Sequence, residues 1–71
     1  MSKADKMFEE LGYKNVRENE NWIVYKWNTK NINFNKKYKY IEVENGKKKK
    51  KMYKQELKAI KEKVKELGWN E

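Results

Sequence analysis

The fold is decided by the segment between residues 22 and 46, which reads WIVYKWNTKNINFNKKYKYIEVENG. Polar and apolar side chains alternate along much of it, and β-branched and aromatic residues are frequent. Both features are typical of β-strands. Polar pairs interrupt the pattern at Lys30-Asn31 and at Lys36-Lys37, where we expect turns. The segment therefore predicts strands over residues 22–28, 31–35 and 38–44. The middle strand alternates strictly, so we expect it to have one buried face.

Segments on either side extend this sheet. Residues 16–18 predict a short first strand, and Glu20-Asn21 predicts the turn that follows it. Asn45-Gly46 is a strong signal for a hairpin turn of type I′, after which residues 47–52 are expected to return as an edge strand. Consecutive strands joined by short turns predict an antiparallel meander of three to five strands.

Two amphipathic helices are predicted at the ends of the chain. Ser2 is a typical N-cap residue, and the apolar residues after it recur at helical spacing. The first stripe is Ala4, Met7, Phe8 and Leu11, and the second is Tyr53, Leu57, Ile60, Val64 and Leu67. Each helix is followed by a glycine and an aromatic residue, Gly12-Tyr13 and Gly68-Trp69, which predicts the same left-handed helix ending twice.

These elements predict one α+β domain over residues 1–71. Its order is an N-terminal helix, the antiparallel meander and a C-terminal helix. The two apolar stripes must be buried, so we expect both helices on one face of the sheet, in two layers.

The composition excludes several classes of site. The chain contains no Cys and no His, which excludes disulfides and the usual zinc, iron–sulfur and haem-thiolate sites. Ser2 and Thr29 have no His to activate them as nucleophiles. We therefore expect no enzyme activity, no catalytic residue, no cofactor and no metal. Since no apolar run approaches the roughly 20 residues of a membrane span, and the start lacks the core of a signal peptide, we expect a cytoplasmic protein without membrane contact.

Positive charge is concentrated in one segment. The net charge is +8, and residues 36–54 hold nine Lys against Glu42 and Glu44. The candidate phosphate-binding side chains are Lys36, Lys37, Lys39, Lys47, Lys48, Lys49, Lys50, Lys51 and Lys54. Such a patch gives salt-sensitive affinity for nucleic acid.

Aromatic side chains join this candidate site. If Ile41 and Val43 face the helices, Tyr38 and Tyr40 point outward, with Tyr25 or Trp27 beside them in one compatible register. Exposed aromatic rings among lysines suit base stacking. In the alternative interpretation, the rings complete a small core and the lysines form a solvated edge.

Two function hypotheses follow from these residues. The first is an accessory binding protein that contacts DNA or RNA through the lysines and the two tyrosines. The second is a protein-interaction module that docks on another protein or on a second copy, with no nucleic-acid role. The sequence leaves the oligomeric state open.

The chain as a whole resembles small phage and prophage proteins of low-GC Gram-positive bacteria. The resemblance rests on SKADKMFEELGY at residues 2–13, on Ile32-Asn33-Phe34, on QELKAI at residues 55–60 and on Glu66-Leu67-Gly68-Trp69. It implies a helix–meander–helix domain and assigns no functional residue.

Overall fold

The computed structural model describes residues 2–46 and 52–69, which form two helices and four strands. In chain order these are α1 (Lys3–Glu10), β1 (Lys14–Glu18), β2 (Trp22–Trp27), β3 (Lys30–Asn35), β4 (Tyr40–Asn45) and α2 (Lys54–Glu66). All neighbouring strands are antiparallel, in the order β1-β2-β3-β4. The predicted α+β class and the meander are confirmed.

The helix endings are as predicted. The Ser2 hydroxyl caps α1 by accepting a hydrogen bond from the Asp5 N–H at 3.1 Å. Gly12, with φ +97°, ends α1, and the Tyr13 N–H then donates to the Phe8 carbonyl at 2.9 Å. Gly68, with φ +75°, ends α2, and the Trp69 N–H donates to the Val64 carbonyl at 3.1 Å.

Two predicted turns are wrong. Trp27 pairs directly with Lys30, so Asn28-Thr29 forms the β2–β3 turn instead of Lys30-Asn31. Asn28 has φ +55°, a left-handed conformation that Asn tolerates better than most residues. At the end of β4, neither Asn45 nor Gly46 has the positive φ that a type I′ turn requires.

The chain leaves β4 in a different way. The Gly46 N–H donates to the Thr29 carbonyl at 3.1 Å, which ties the end of β4 to the β2–β3 turn. The expected return strand covers residues 47–52. Met52 is not in a strand, and residues 47–51 lie outside the described part of the chain.

The core joins buried side chains of both helices to those of β2 and β3. The Phe8 ring stacks on the Tyr25 ring at 4.1 Å, and Phe34 meets both rings edge-on. The members of the core are Phe8, Tyr13, Ile23, Tyr25, Ile32, Phe34, Ala59 and Ile60. Packing of both helices as one layer on one sheet face stays a prediction.

Helix α2 buries only the later part of the predicted stripe: Ile60 is buried, and Val64 and Leu67 pack against the core. Tyr53 and Leu57 are exposed, while Glu56 and Lys63 are buried together with Ala59 and Ile60. The two charged side chains tolerate burial because both have partners of opposite charge, Lys30 and Asp5 respectively.

Strand β3 is buried on both faces, although its alternation predicted one. Ile32 and Phe34 lie in the core, and Asn33 and Asn35 on the opposite face are 6% and 5% exposed. Both amides have partners. Asn33 Nδ2 donates to Glu44 Oε1 at 2.6 Å, and Asn35 Oδ1 accepts from the Tyr38 N–H at 2.7 Å. A strand with neighbours on both sides can bury such polar groups once they are satisfied.

Candidate nucleic-acid interface

The turn between β3 and β4, residues 36–39, holds part of the predicted lysine patch. The Asn35 side chain accepts from the Tyr38 N–H, and the Lys36 N–H donates to the Asn21 carbonyl at 2.7 Å. Lys39 has φ +57°, which turns the chain into β4. These bonds fix the backbone, while the side chains of Lys37, Tyr38 and Lys39 are exposed.

Two further aromatic residues lie beside this turn because of the strand register. Asn35 pairs with Trp22 on one side and with Tyr40 on the other. Across it the Trp22 and Tyr40 rings meet edge-on, with centroids 6.0 Å apart and planes at 89°. We call the group Trp22, Lys36, Lys37, Tyr38, Lys39 and Tyr40 the lysine–aromatic tip.

The tip exposes the rings of Tyr38 and Tyr40 to solvent, together with positively charged side chains. Tyr38 is 69% exposed and Tyr40 is 42% exposed. Lys37 Nζ lies 5.3 Å from the centre of the Tyr38 ring, within cation–π range. Within residues 2–46 and 52–69, no ion pair involves Lys36, Lys37 or Lys39. Their charges are therefore available to an anionic ligand.

Among the described residues, the predicted lysine Lys54 does not join the tip. Lys54 is the first residue of α2, next to Tyr53, whose ring lies 5.7 Å from Lys30 Nζ. Lys30 and Asn35 are at opposite ends of β3, which separates the two sites by about 17 Å at roughly 3.3 Å per residue. The run Lys47, Lys48, Lys49, Lys50 and Lys51 lies outside the described residues.

Trp22 is the residue of the tip that the sequence pattern missed. The register that placed Tyr25 or Trp27 beside the tyrosines is wrong. Tyr25 is buried in the core, and Trp27 packs near Tyr13, with ring centroids 6.1 Å apart. The alternation of β2 places Trp22 on the face opposite Tyr25, and this was the sequence signal that could have indicated its exposure on the outer face. The contact of Trp22 with Tyr40 could not be predicted in this way, because it depends on the positions of both hairpin turns.

Two ionic clusters, one buried and one half-buried, stand apart from the tip. In the first, Glu56 accepts from Lys30 Nζ at 2.9 Å with each oxygen, from the Tyr53 N–H at 2.8 Å and from the Tyr13 hydroxyl. Burial alone raises the pKa of the Glu56 carboxyl, but the hydrogen bonds from Tyr13, Tyr53 and Lys30 outweigh it and hold the pKa below its usual value.

The second cluster joins α1, β2 and α2. Asp5 accepts from the Tyr25 hydroxyl, and Lys63 Nζ lies 3.5 Å from the same carboxylate. Burial alone raises the pKa of the Asp5 carboxyl, but the interactions with Tyr25 and Lys63 outweigh burial, so the pKa lies below its ordinary value. Burial and the nearby carboxylates raise the pKa of both phenols, Tyr13 and Tyr25. The carboxylate oxygens of Glu56 and Asp5 already accept hydrogen bonds from these phenols, so we assign both carboxylates a structural role.

Within the described residues, no group of three or more His, Cys, Asp or Glu side chains is placed to hold a metal ion. Neither described helix is long and apolar enough to cross a bilayer. The chain matches no protein-family model, no curated protein and no solved structure.

Proposed function

We propose that this protein is a non-enzymatic, cytoplasmic binding protein of phage or prophage origin, and that it contacts nucleic acid through the lysine–aromatic tip. The observation that carries the proposal is the convergence of Lys36, Lys37 and Lys39, which form no ion pair with any described residue, with exposed rings on one hydrogen-bonded turn. Lysines neutralise phosphates, and aromatic rings stack with bases.

The geometry favours a single strand over a duplex. The bases of a duplex are stacked within the helix, whereas those of a single strand are free to stack on side chains. Trp22 and Tyr40 offer such a stacking surface, at the end of the sheet from which the turn lysines project. DNA and RNA share the phosphate and base chemistry on which this argument rests.

The direct test is a triple substitution, Lys36→Gln, Lys37→Gln and Lys39→Gln, with binding to a labelled oligonucleotide of about twelve nucleotides. We expect affinity in about 50 mM salt to fall about ten-fold or more. The slope of log K against log salt should become shallower by about two, because each phosphate contact on a single strand contributes about 0.7.

A matched control variant has the same net charge as the triple variant of the tip. Lys58→Gln, Lys61→Gln and Lys65→Gln change three exposed lysines of α2 and lower the charge by the same amount. This variant should bind nearly as well as the wild type. Equal weakening of the two triple variants would assign binding to overall charge, and a wild type that binds no oligonucleotide in about 50 mM salt would refute the proposal. A separate Gln variant of residues 47–51 tests that lysine run.

A protein partner is the second candidate function. Tyr53 and Leu57, one turn apart on α2, are 58% and 45% exposed, and large apolar side chains on a surface are characteristic of contact sites. Sedimentation of the protein alone tests self-association. Absence of nucleic-acid binding together with a concentration-dependent dimer would favour this alternative.

A further inference from the structure

The face of the sheet opposite the core forms a shallow groove of about 480 Å³ next to the tip. It is lined by Val16, Arg17, Trp22, Val24, Lys26, Asn31, Asn33, Glu42 and Glu44. We call this surface the open groove. Trp22 belongs to both the groove and the tip, so the two surfaces are contiguous, and a nucleic acid bound at the tip lies beside the groove.

Charge is divided across the open groove. Strand pairing places Arg17, Val24, Asn33 and Glu42 in one row across the four strands. A second row runs across β2, β3 and β4 through Lys26, Asn31 and Glu44. The cations therefore lie over β1 and β2, and the carboxylates lie over β4. Among the described residues, none of Arg17, Lys26 and Glu42 takes part in an ion pair.

The side of the groove toward β4 offers hydrogen-bond acceptors without matching donors. Glu42 has no hydrogen-bond donor among the described residues, and Glu44 Oε1 accepts only the Asn33 amide, which leaves its second oxygen open. Asn31 Oδ1 is buried and has no partner in the described structure. Because Asn31 Oδ1 has almost no accessible surface, the open oxygens of Glu42 and Glu44 are the acceptors that a ligand in the groove meets, and a ligand that supplies donors there gains affinity.

We infer that the open groove binds the bases of a single-stranded nucleic acid and prefers bases that carry an exocyclic amino group to thymine or uracil. This inference rests on the proposed function and specifies its ligand. Arg17 and Lys26 contact the phosphates, and Glu42 and Glu44 accept hydrogen bonds from the amino groups.

The preference follows from base chemistry. Cytosine carries a donor at N4 and adenine carries one at N6, whereas thymine presents the O4 acceptor at the equivalent position. Thymine has its one donor at N3, between the O2 and O4 acceptors, so a carboxylate that accepts from N3 also approaches these two acceptors, whereas an amino group offers two N–H donors. Phosphates alone would give no such preference, since they are identical in every sequence.

The test compares oligo-dC with oligo-dT of equal length, about twelve nucleotides, because both are pyrimidines. We expect oligo-dC to bind about five-fold tighter or more, the lower end of the discrimination that good base contacts give. The variant Glu42→Thr, Glu44→Thr should bring the two affinities together, while oligo-dT binding stays equal or tightens because two negative charges are gone.

Controls separate this effect from charge and from folding. Glu9→Gln with Glu10→Gln makes the same change in charge on exposed positions of α1, and should keep the preference for oligo-dC. Thr suits a strand, but loss of Glu44 removes the partner of Asn33. Glu42→Thr alone is therefore the second variant, and it should reduce the preference in part.

The outcomes are distinct. Equal binding of the two oligonucleotides, or tighter binding of oligo-dT, overturns the inference and leaves the proposed function standing. A preference for oligo-dC that survives in both Thr variants also overturns it, because the discrimination then arises elsewhere. If neither oligonucleotide binds, the proposed function and the inference fail together.

Discussion

Glu56 connects three parts of the structure through one buried carboxylate. Its oxygens accept from Lys30 on β3, from the Tyr13 hydroxyl before β1 and from the Tyr53 N–H at the start of α2. The Tyr53 bond also supplies the helix cap that no Ser, Thr, Asp or Asn provides at this position. Glu56 is not part of the predicted apolar stripe, yet its carboxylate anchors α2.

We predict that Glu56→Gln destabilises the protein by about 3–5 kcal/mol, because the buried Lys30 ammonium then faces a neutral amide. A domain of this length has a total stability of roughly 4–11 kcal/mol, so part of the population should unfold at 25 °C. Urea titration followed by circular dichroism measures the change.

The double variant Lys30→Met, Glu56→Gln is the internal control. It also removes the buried ammonium that lost the Glu56 carboxylate, so it should be more stable than Glu56→Gln alone, and the coupling energy follows from the cycle. Glu10→Gln, on an exposed position of α1, should change stability by about 0.5 kcal/mol or less. A similarly small effect of Glu56→Gln would mean that the network contributes little.

At the scale of elements, one helix ending is used twice in different surroundings. Gly12 and Gly68 both have positive φ, which is costly for residues that have a Cβ. At Gly12 an added Cβ would also lie 3.1 Å from Cδ1 and Nε1 of the Trp27 ring, whereas at Gly68 no atom of the described residues lies within 4 Å. The first ending thus also packs α1 against β2.

We predict that Gly12→Ala costs more stability than Gly68→Ala. Each substitution should cost about 1–2 kcal/mol for the left-handed backbone, and Gly12→Ala should also displace Trp27. Urea unfolding gives both values, and Trp fluorescence should change in Gly12→Ala. Equal losses with an unchanged spectrum would show that the Trp27 ring adjusts without cost.

At the scale of the whole molecule, a small core is supplemented by two ionic clusters, of which one is buried and the other half-buried. The cluster around Glu56 joins β3 to α2, and the cluster around Asp5 joins α1 to β2 and α2. Each depends on an ionised carboxylate whose pKa lies below its ordinary value. The 19 Lys and Arg residues against 11 Asp and Glu residues give the molecule a net charge of +8, which becomes more positive in acid.

We predict acid unfolding that begins below about pH 4, near the ordinary carboxyl pKa. Since folding lowers the pKa of Asp5 and Glu56, the unfolded state binds protons first as the pH falls. Their stabilisation is complete above that ordinary value, and is lost as the pH falls through the lower folded-state values. Urea titrations between about pH 2 and about pH 7 test this range.

The variant Asp5→Asn, Glu56→Gln provides the comparison for this prediction. It should be less stable at neutral pH, and its stability should depend less on pH between about 2 and 4. If its pH profile runs parallel to that of the wild type, other carboxylates control the acid transition.

The sequence by itself determined the elements and their order. Helical and strand periodicities follow from local backbone geometry, so the stripe of α1, the alternation of β2 and β3 and the two Gly-aromatic endings could be read from residues close together in the chain. Exposure of Tyr38 and Tyr40, and the grouping of Lys36, Lys37 and Lys39 with them, also follow from one short segment.

Only the tertiary structure decided which distant side chains meet. The contact between Trp22 and Tyr40 and the acceptor side of the open groove depend on strand register, which a shift of one residue would reverse. Burial of Glu56 beside Lys30 depends on how α2 packs, since a charged residue is read as exposed until its partner is known. Such contacts join residues far apart in the chain, and local periodicity carries no information about that pairing.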